Sequence, residues 1–459
     1  MSDSFDILKL RPELYEALEQ VGYVSMTPVQ AAALPALLQG RDLMGQAKTG
    51  SGKTAAFGLT LLQSIDLSRN EVQALVLCPT RELAEQVTGE LRRLAQRLAN
   101  TRIVTICGGK SNREQTLNLE RGTHIVVGTP GRVGKHLRGG TLSLGTLSFL
   151  VLDEADRMLD MGFIEEVTFI AERCPLKRQT LLFSATFPEQ IRDLSDTFQH
   201  EPEFVAVEAQ VDPQKLRQFV FKCERDKRLE LLASLLCQYR PVATLVFCEF
   251  RTDCDKVASF LRGCGASAFA LHGGMEQRDR DDILQQFSNG SASVLVATNV
   301  AARGLDIPAL PAVINYEVSS DPESHLHRIG RTGRAGEEGL ALTIVSTGKE
   351  RSRLKSIEAF MGQRLERGHN PTCGTDLKFL QPANRTLIIN GGRKDKLRPG
   401  DIVGALVKDA KLPMEAIGKI DLKPQYCAVA ISREYAQHAF DYLQEGRIKK
   451  KKFRVRLMG

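Results

Sequence analysis

The chain has 459 residues, 42% hydrophobic and 25% charged, with a net charge of +7. That balance suits an ordinary globular chain of about three domains and excludes a disordered or fibrous one. No run of about 18 apolar residues occurs, which argues against a membrane-spanning helix, and the acidic start MSDSFDILKLRPELYEAL argues against a secretory leader. Ten scattered cysteines form no C-x-x-C pair, so buried thiols in a reducing cytoplasm are expected rather than zinc or disulfides.

Along the chain, the first stretch with evident chemistry is AKTGSGKT (47–54). A glycine-rich turn followed by Lys53 and Thr54 has the parts of a phosphate-wrapping loop, although Ala47 stands where the usual first glycine would be. Backbone N–H groups and a helix N-terminus would face the phosphates, Lys53 would neutralise charge, and Thr54 could ligate magnesium. Short β-branched runs then recur between stretches of helical length: QALVLC (73–78), HIVV (124–127), SFLVLD (148–153) and Thr180–Phe183. The spacing predicts parallel sheets covered on both faces. SFLVLD ends in Asp153, Glu154 and, after one Ala, Asp156. A core strand finishing in carboxylates is costly unless a cation offsets them, and the carboxyl end of a strand is where open α/β sheets bind ligands. Asp153 would hold the metal, and Glu154 would position and deprotonate an attacking water. A plain acidic helix start could account for Asp156 but poorly for Asp153.

A polar stretch, EAQVDPQKLR (208–217), predicts a domain boundary, giving a first domain over 1–207 and a second over 218–365. The second repeats the strand pattern in TLVF (244–247), SVLVAT (293–298), AVINY (312–316) and LALTIV (340–345). Residues 366–383 predict another linker. From 384 to 459 the chain changes style, with strands at 386–391, 416–422, 426–432 and 453–458 and helices at 399–410 and 434–446. That βαββαβ order is similar to an RNA-recognition motif. This segment holds 17 Lys and Arg against 8 Asp and Glu, and seven of ten residues in RIKKKKFRVR (447–456) are basic, so a polyanionic partner is expected.

Asp153-Glu154-Ala155-Asp156 and the motifs around it resemble the DEAD-box RNA helicases, in order, over roughly 1–365. The resemblance implies two tandem RecA-like parallel-sheet domains followed by the small α+β domain, and an RNA-stimulated ATPase that opens short duplexes with ATP and Mg2+. It implies that Gln30 reads adenine, with Phe5 or Tyr23 stacking on the base, and that Ala47, Lys48, Thr49, Gly50, Ser51, Gly52, Lys53 and Thr54 hold the phosphates. Gly304 and Asp306 would face the nucleotide from the second domain, and Arg331 and Arg334 of HRIGRTGR would act as arginine fingers after closure. Ser184 and Thr186, with Asp156, would couple the nucleotide site to the rest. RNA would be held by Arg81, Gly109, Thr129, Gly131, Arg132, Arg251, Gly273, Gln277, Arg280 and Thr298. The family's usual Asp is replaced by Asn299, which removes a charge but keeps hydrogen-bonding ability.

The tail is similar, more narrowly, to that of the DbpA subfamily. That implies a structured 23S ribosomal RNA hairpin with adjacent duplex, pre-50S particles, a cytoplasmic location and no membrane. KPQYCAVAI (423–431) offers only Tyr426 for base stacking, with Ala428 and Ile431 where rings would be expected. Phosphate and shape contacts by Arg393, Lys394, Lys396, Arg447, Lys449, Lys450, Lys451, Lys452 and Arg454 are expected instead. The alternatives weighed are a DNA-directed P-loop motor and a non-hydrolysing RNA clamp.

Overall fold

The computed structural model describes residues 3–47, 51–109, 111–207, 216–302, 310–333, 338–371 and 377–458. The chain forms two compact units, one built on Met1–Gln210 and the other on the chain from Val211 onward.

In the first unit the β-branched runs become a seven-stranded sheet. Its strands are β1 (Leu43–Gln46), β2 (Ala74–Leu77), β3 (Ile103–Ile106), β4 (Ile125–Gly128), β5 (Phe149–Asp153), β6 (Gln179–Ser184) and β7 (Glu203–Ala206). The order is β3-β4-β2-β5-β6-β1-β7, and every pairing is parallel. Alternate residues of one strand enter opposite cores: Leu75, Leu150 and Leu152 on one face, Val76 and Val151 on the other. A strand buried on both sides must be apolar throughout, which is why these runs lack alternation. Phe57 and Phe183 anchor one face with ring centroids 5.7 Å apart. Phe57 is fully buried, and Phe57→Ala would cost about 3–5 kcal/mol through the lost burial and the cavity left behind.

The second unit repeats the layout. Strands β8 (Leu216–Lys222), β9 (Thr244–Cys248), β10 (Ala268–Leu271), β11 (Val294–Thr298), β12 (Ala312–Asn315), β13 (Gly339–Val345) and β14 (Glu366–Arg367) lie in the order β10-β11-β9-β12-β13-β8-β14. Two segments read as linkers contribute structure here. Leu216 and Arg217 open β8, and Glu366–Arg367 pair with β8 at the sheet edge. Leu377 and Phe379 pack on this domain's core, and Asn370 Nδ2 donates to the Lys222 carbonyl at 2.7 Å.

The tail is an antiparallel sheet of β15 (Asn384–Ile389), β16 (Ile417–Leu422), β17 (Cys427–Ser432) and β18 (Val455–Met458), ordered β16-β17-β15-β18. Its helices are Pro399–Gly404 and Ala436–Glu445. The first runs on through a wider turn, with Ala410 N–H donating to the Ala405 carbonyl five residues back. Leu387, Ile389, Val429 and Ile431 face the helices. Ile431 is therefore a core residue and not a missing ring on the outer face. That outer face carries Thr386, Ile388, Ala428 and Ala430, and all four are buried. Of the described cysteines, Cys78, Cys107, Cys174, Cys248, Cys254 and Cys427 are buried, whereas Cys223, Cys237 and Cys264 are only half-buried; none of the nine is in a disulfide.

Candidate active site and nucleic-acid interface

The helix Lys53–Ser64 begins immediately after the glycine turn, so Lys53 sits at its first position. Gly52 adopts φ +93, and a Cβ there would stand 2.6 Å from Gln30 Nε2, so only glycine fits. Gln30 is buried and committed on both sides of its amide: Oε1 accepts from Thr27 N–H at 2.8 Å, and Nε2 donates to the Gly52 carbonyl at 3.1 Å. Phe5 is packed into the core, whereas Tyr23 is half-buried and donates its hydroxyl to Glu90 at 2.6 Å; their rings lie 6.5 Å apart. Ala47 is buried with its N–H on the Ser184 carbonyl, and Ser51 Oγ is buried without a partner among the described residues. Lys48, Thr49 and Gly50 lie outside the described residues, as do Gly304, Asp306 and Arg334.

Lys53 Nζ lies 3.2 Å from Asp153 Oδ1, with both side chains almost wholly buried. Burial pushes the Asp153 carboxyl up, and the Lys53 ammonium pulls it back. Burial pushes Lys53 down, but Asp153, Glu154 and Asp156 outweigh it and hold Lys53 above its ordinary value. Apart from that ammonium, Asp153 Oδ1 has no hydrogen-bond partner among the described residues. A buried, under-coordinated carboxylate oxygen at a strand end fits a hard cation that takes its other ligands from phosphate and water.

Glu154 caps the short helix Ala155–Asp160 in a left-handed conformation, φ +58. Its carboxylate is ion-paired with the buried guanidinium of Arg157. Asp156 Oδ2 accepts from Ala185 N–H and Thr186 N–H at 3.3 Å each and from Thr186 Oγ1 at 3.4 Å, while Ser184 Oγ accepts from Asp156 N–H at 3.2 Å. The end of β6 is thus tied to the acidic turn after β5.

The remaining first-domain residues gather on the other half of the same sheet edge. Arg81 opens the helix after β2, Gly109 follows β3, and Thr129 caps the helix Pro130–Arg138 after β4. The Arg81 guanidinium lies across Gly108, where a Cβ would be 2.7 Å from Nη2. Arg132 Nε donates to Gln115 Oε1 at 3.4 Å, and Gln115 Nε2 to the Cys107 carbonyl at 3.0 Å. Gly131 leaves open space beside its Cα.

In the second unit, Arg251 opens the helix after β9, Gly273 follows β10, Gln277 opens and Arg280 lies within the helix Gln277–Ser288, and Thr298 ends β11. These strands are neighbours, so the layout of the first domain recurs. Arg331 follows the helix Pro322–Ile329 and is buried. Three residues before it, Arg328 is 2% exposed and donates to Asn299 Oδ1 at 2.6 Å, to Asn315 Oδ1 at 3.3 Å and to the Glu317 carbonyl at 2.8 Å. All three acceptors are neutral. Burial pulls its guanidinium down to about 10, against the more distant charge of Glu317. His325 is equally buried, has no partner for either ring nitrogen among the described residues, and is pushed down to about 4 by burial and by Arg328.

In the tail, Arg393, Lys394 and Lys396 are exposed, as are Arg447, Lys449, Lys450, Lys451, Lys452 and Arg454. Lys449 Nζ lies 3.3 Å from the Lys396 carbonyl and from Asp401 Oδ2, so two basic segments about fifty residues apart in sequence meet on one surface. Buried Ile448 and Phe453 anchor the second segment.

Family models match in the same order: the DEAD/DEAH box helicase over 27–194, the helicase conserved C-terminal domain over 227–336 and the DbpA RNA binding domain over 386–457. The ATP-dependent RNA helicase DbpA of Escherichia coli (strain K12) is 49% identical over 449 residues, 98% of each chain. The chain belongs to the DEAD-box ATP-dependent RNA helicases. The CshA helicase of Geobacillus kaustophilus (strain HTA426) is 42% identical, covering 82% of this helicase and 81% of that one. The structure of S. cerevisiae Dbp5 bound to RNA and ADP BeF3 superposes with a TM-score of 0.73 at 29% identity, over 80% of this chain and 96% of that one.

The motif reading missed Arg157, Arg328 and Asn315. Arg157 was within reach, since Glu154 and Arg157 have the i,i+3 spacing of a helical ion pair. Nothing in the sequence marks Asn315 as a partner of Arg328.

Proposed function

We propose that this RNA helicase, of the DbpA type, hydrolyses ATP with Lys53 on the β/γ-phosphates, Glu154 as the group that orients and deprotonates water, and Arg331 and Arg334 stabilising developing charge. Gln30 reads adenine beside Phe5 or Tyr23, and Ala47 to Thr54, with Gly304 and Asp306, complete the nucleotide contacts. Thr54 and Asp153 would hold Mg2+, which supplies positive charge to the phosphates. The observation that carries this reading is the buried Lys53–Asp153 pair with Glu154 adjoining it.

Duplex RNA is held at the strand-end residues of both domains, Arg81 to Arg132 and Arg251 to Thr298. Closure over RNA and ATP opens a few base pairs, and hydrolysis releases them. Ser184, Thr186 and Asp156 relay the nucleotide state. The working domain extents are 1–207, 218–365 and 384–459, joined by 208–217 and 366–383. The basic surface of Arg393–Lys396 and Arg447–Arg454 targets the helicase to a 23S ribosomal RNA hairpin in pre-50S particles, in the cytoplasm. Similarity to the DbpA RNA binding domain supports that targeting, and among the described residues no helix is long and apolar enough to cross a membrane.

Glu154→Gln should lower RNA-stimulated phosphate release by at least about 100-fold while ATP and RNA binding persist; unaltered turnover refutes the role of Glu154. For targeting, the full chain should bind the ribosomal hairpin more tightly than a scrambled hairpin, and equal affinities would remove the specificity.

A further inference from the structure

Single apolar side chains are exposed on any protein surface, and most need no explanation. Phe250 stands apart by its place. It is 60% exposed and lies between the end of β9 and Arg251, at the strand-end edge where the second unit gathers its candidate RNA residues. It is also the N-cap of the helix Arg251–Gly263, in an extended conformation with no side-chain cap hydrogen bond. Asn, Asp, Ser and Thr are preferred at that position because their oxygen accepts from the N–H groups of the first turn. A phenylalanine forgoes that bond and leaves much of its ring in water, so it is unfavourable on both counts in the free protein.

The backbone that carries the ring is held firmly. Glu249 N–H donates to Glu317 Oε2 at 2.6 Å, and Glu249 Oε2 accepts from Arg353 Nη1 at 3.3 Å. The Phe250 carbonyl accepts from Asp253 N–H and Cys254 N–H at 3.2 Å each, and Cys254 is fully buried. The ring therefore stands on a fixed corner. A second fixed corner lies beside it. His272 Nδ1 accepts from Gly274 N–H at 3.2 Å, and its Nε2 lies 3.1 Å from both carboxylate oxygens of Asp255. That ties the glycine pair after β10 to the helix that Phe250 caps. A Cβ on Gly274 would stand 3.8 Å from Arg251 Nη1, so the guanidinium lies along this pair, while Gly273 has open space beside its Cα. The strand order β10-β11-β9 sets the two corners about 10 Å apart.

The edge thus offers an open backbone, a cation and an exposed aromatic ring. The first two suit phosphates, and only the third offers anything to a base. We infer that Phe250 is a base-stacking residue: the strand whose phosphates meet Arg251 and Gly273 lays one unpaired base on its ring. The inference rests on the proposed RNA grip at this edge and adds a preference to it. A base inside a duplex has both faces covered, so the ring favours a strand with a base free to stack.

The test measures binding of a single-stranded oligoribonucleotide to the full chain, with ADP and beryllium fluoride present and one abasic site moved along the strand. In the unsubstituted helicase, one position of the abasic site should weaken binding at least about fivefold, the lower end of what base–aromatic stacking contributes. Phe250→Ala should weaken binding of the intact strand by a similar factor. It should also be insensitive to the abasic site at that position, because base and ring belong to one contact. Phe250→Tyr should keep the parent affinity. Phe250→Thr supplies a capping oxygen, so it should bind RNA as weakly as Phe250→Ala while its thermal midpoint rises by about 2 °C. Stability gained as binding is lost marks a residue kept for a ligand and not for the fold. Affinities within about twofold of the parent in both the Ala and Thr variants overturn the inference, as does equal sensitivity to the abasic site in the parent and Phe250→Ala. Arg251→Ala separates the two layers. If it weakens binding and the Phe250 variants do not, the grip stands and the stacking falls. If none of them weakens binding, the grip at this edge falls and the stacking with it.

Discussion

The two parallel-sheet domains share a strand layout, and each buries at least one ion pair, but they treat the buried charge at their candidate-site edges differently. In the first, two buried ion pairs lie near the nucleotide edge: Lys53 with Asp153, and Arg157 with Glu154. In the second, Arg328 is sunk as deeply yet rests on neutral oxygens of Asn299, Asn315 and the Glu317 main chain. Paired ions are costly to break singly, because removing one strands the other. A cation among amide oxygens loses less when an acceptor is changed, and can gain if one becomes charged. One fold thus supports a rigidly matched charge cluster and a more adjustable one.

Removing one member of the matched cluster should have the largest effect. Lys53→Ala should lower RNA-stimulated turnover by at least about 100-fold and cost the first domain about 3–5 kcal/mol in urea unfolding at neutral pH, since Asp153 is left buried and unpaired. The Asp153 carboxyl is already raised in the folded state, so its protonated form is favoured by folding. The stability loss should therefore shrink as pH falls through the folded value and grow as pH rises through it. A variant as stable as its parent would show that Lys53 does not compensate Asp153.

His325 probes the surroundings of Arg328. Its folded value near 4 lies below the ordinary 6.5, so folding favours the neutral ring. That contribution is present above 6.5 and is lost as pH falls toward 4, amounting to about 3 kcal/mol. Denaturant melts of the second unit at pH 7 and pH 5 should show the slope, and His325→Phe should flatten it; an equal slope in both proteins would assign the acid sensitivity elsewhere.

The smallest effect sharpens the contrast. Asn299→Asp should place a carboxylate on Arg328 and stabilise the second unit by about 1 kcal/mol, making its electrostatics resemble those of the first domain. Destabilisation measured by the same unfolding assay would mean that desolvating the new carboxylate outweighs its bond to Arg328.

The layered sheets were legible because uninterrupted apolar runs such as ALVL and FLVLD admit few alternatives to strands buried on both faces. The acidic turn was legible because carboxylates at the end of such a strand need a reason. The tail's helices and strands were legible from periodicity. What escaped was pairing across long sequence distances. Thr386 against Asn289 has no signature, because small polar residues occur on any surface, and only three-dimensional proximity makes them a contact. The segment 366–383 read as a linker on composition, but Leu377 and Phe379 are held by a neighbouring core. Composition reports what a segment could bury alone, not what another domain offers it.

The double commitment of Gln30 carries one more consequence. On the proposed adenine reading, an incoming base competes for an amide that already links the Thr27 N–H to the Gly52 carbonyl. Adenine, presenting one donor and one acceptor, can exchange for both bonds; guanine presents two acceptors on the same edge and can exchange for only one. Choice of base would then be transmitted directly to the glycine turn, making purine discrimination visible as a change in backbone amide exchange around Gly52 as well as in affinity.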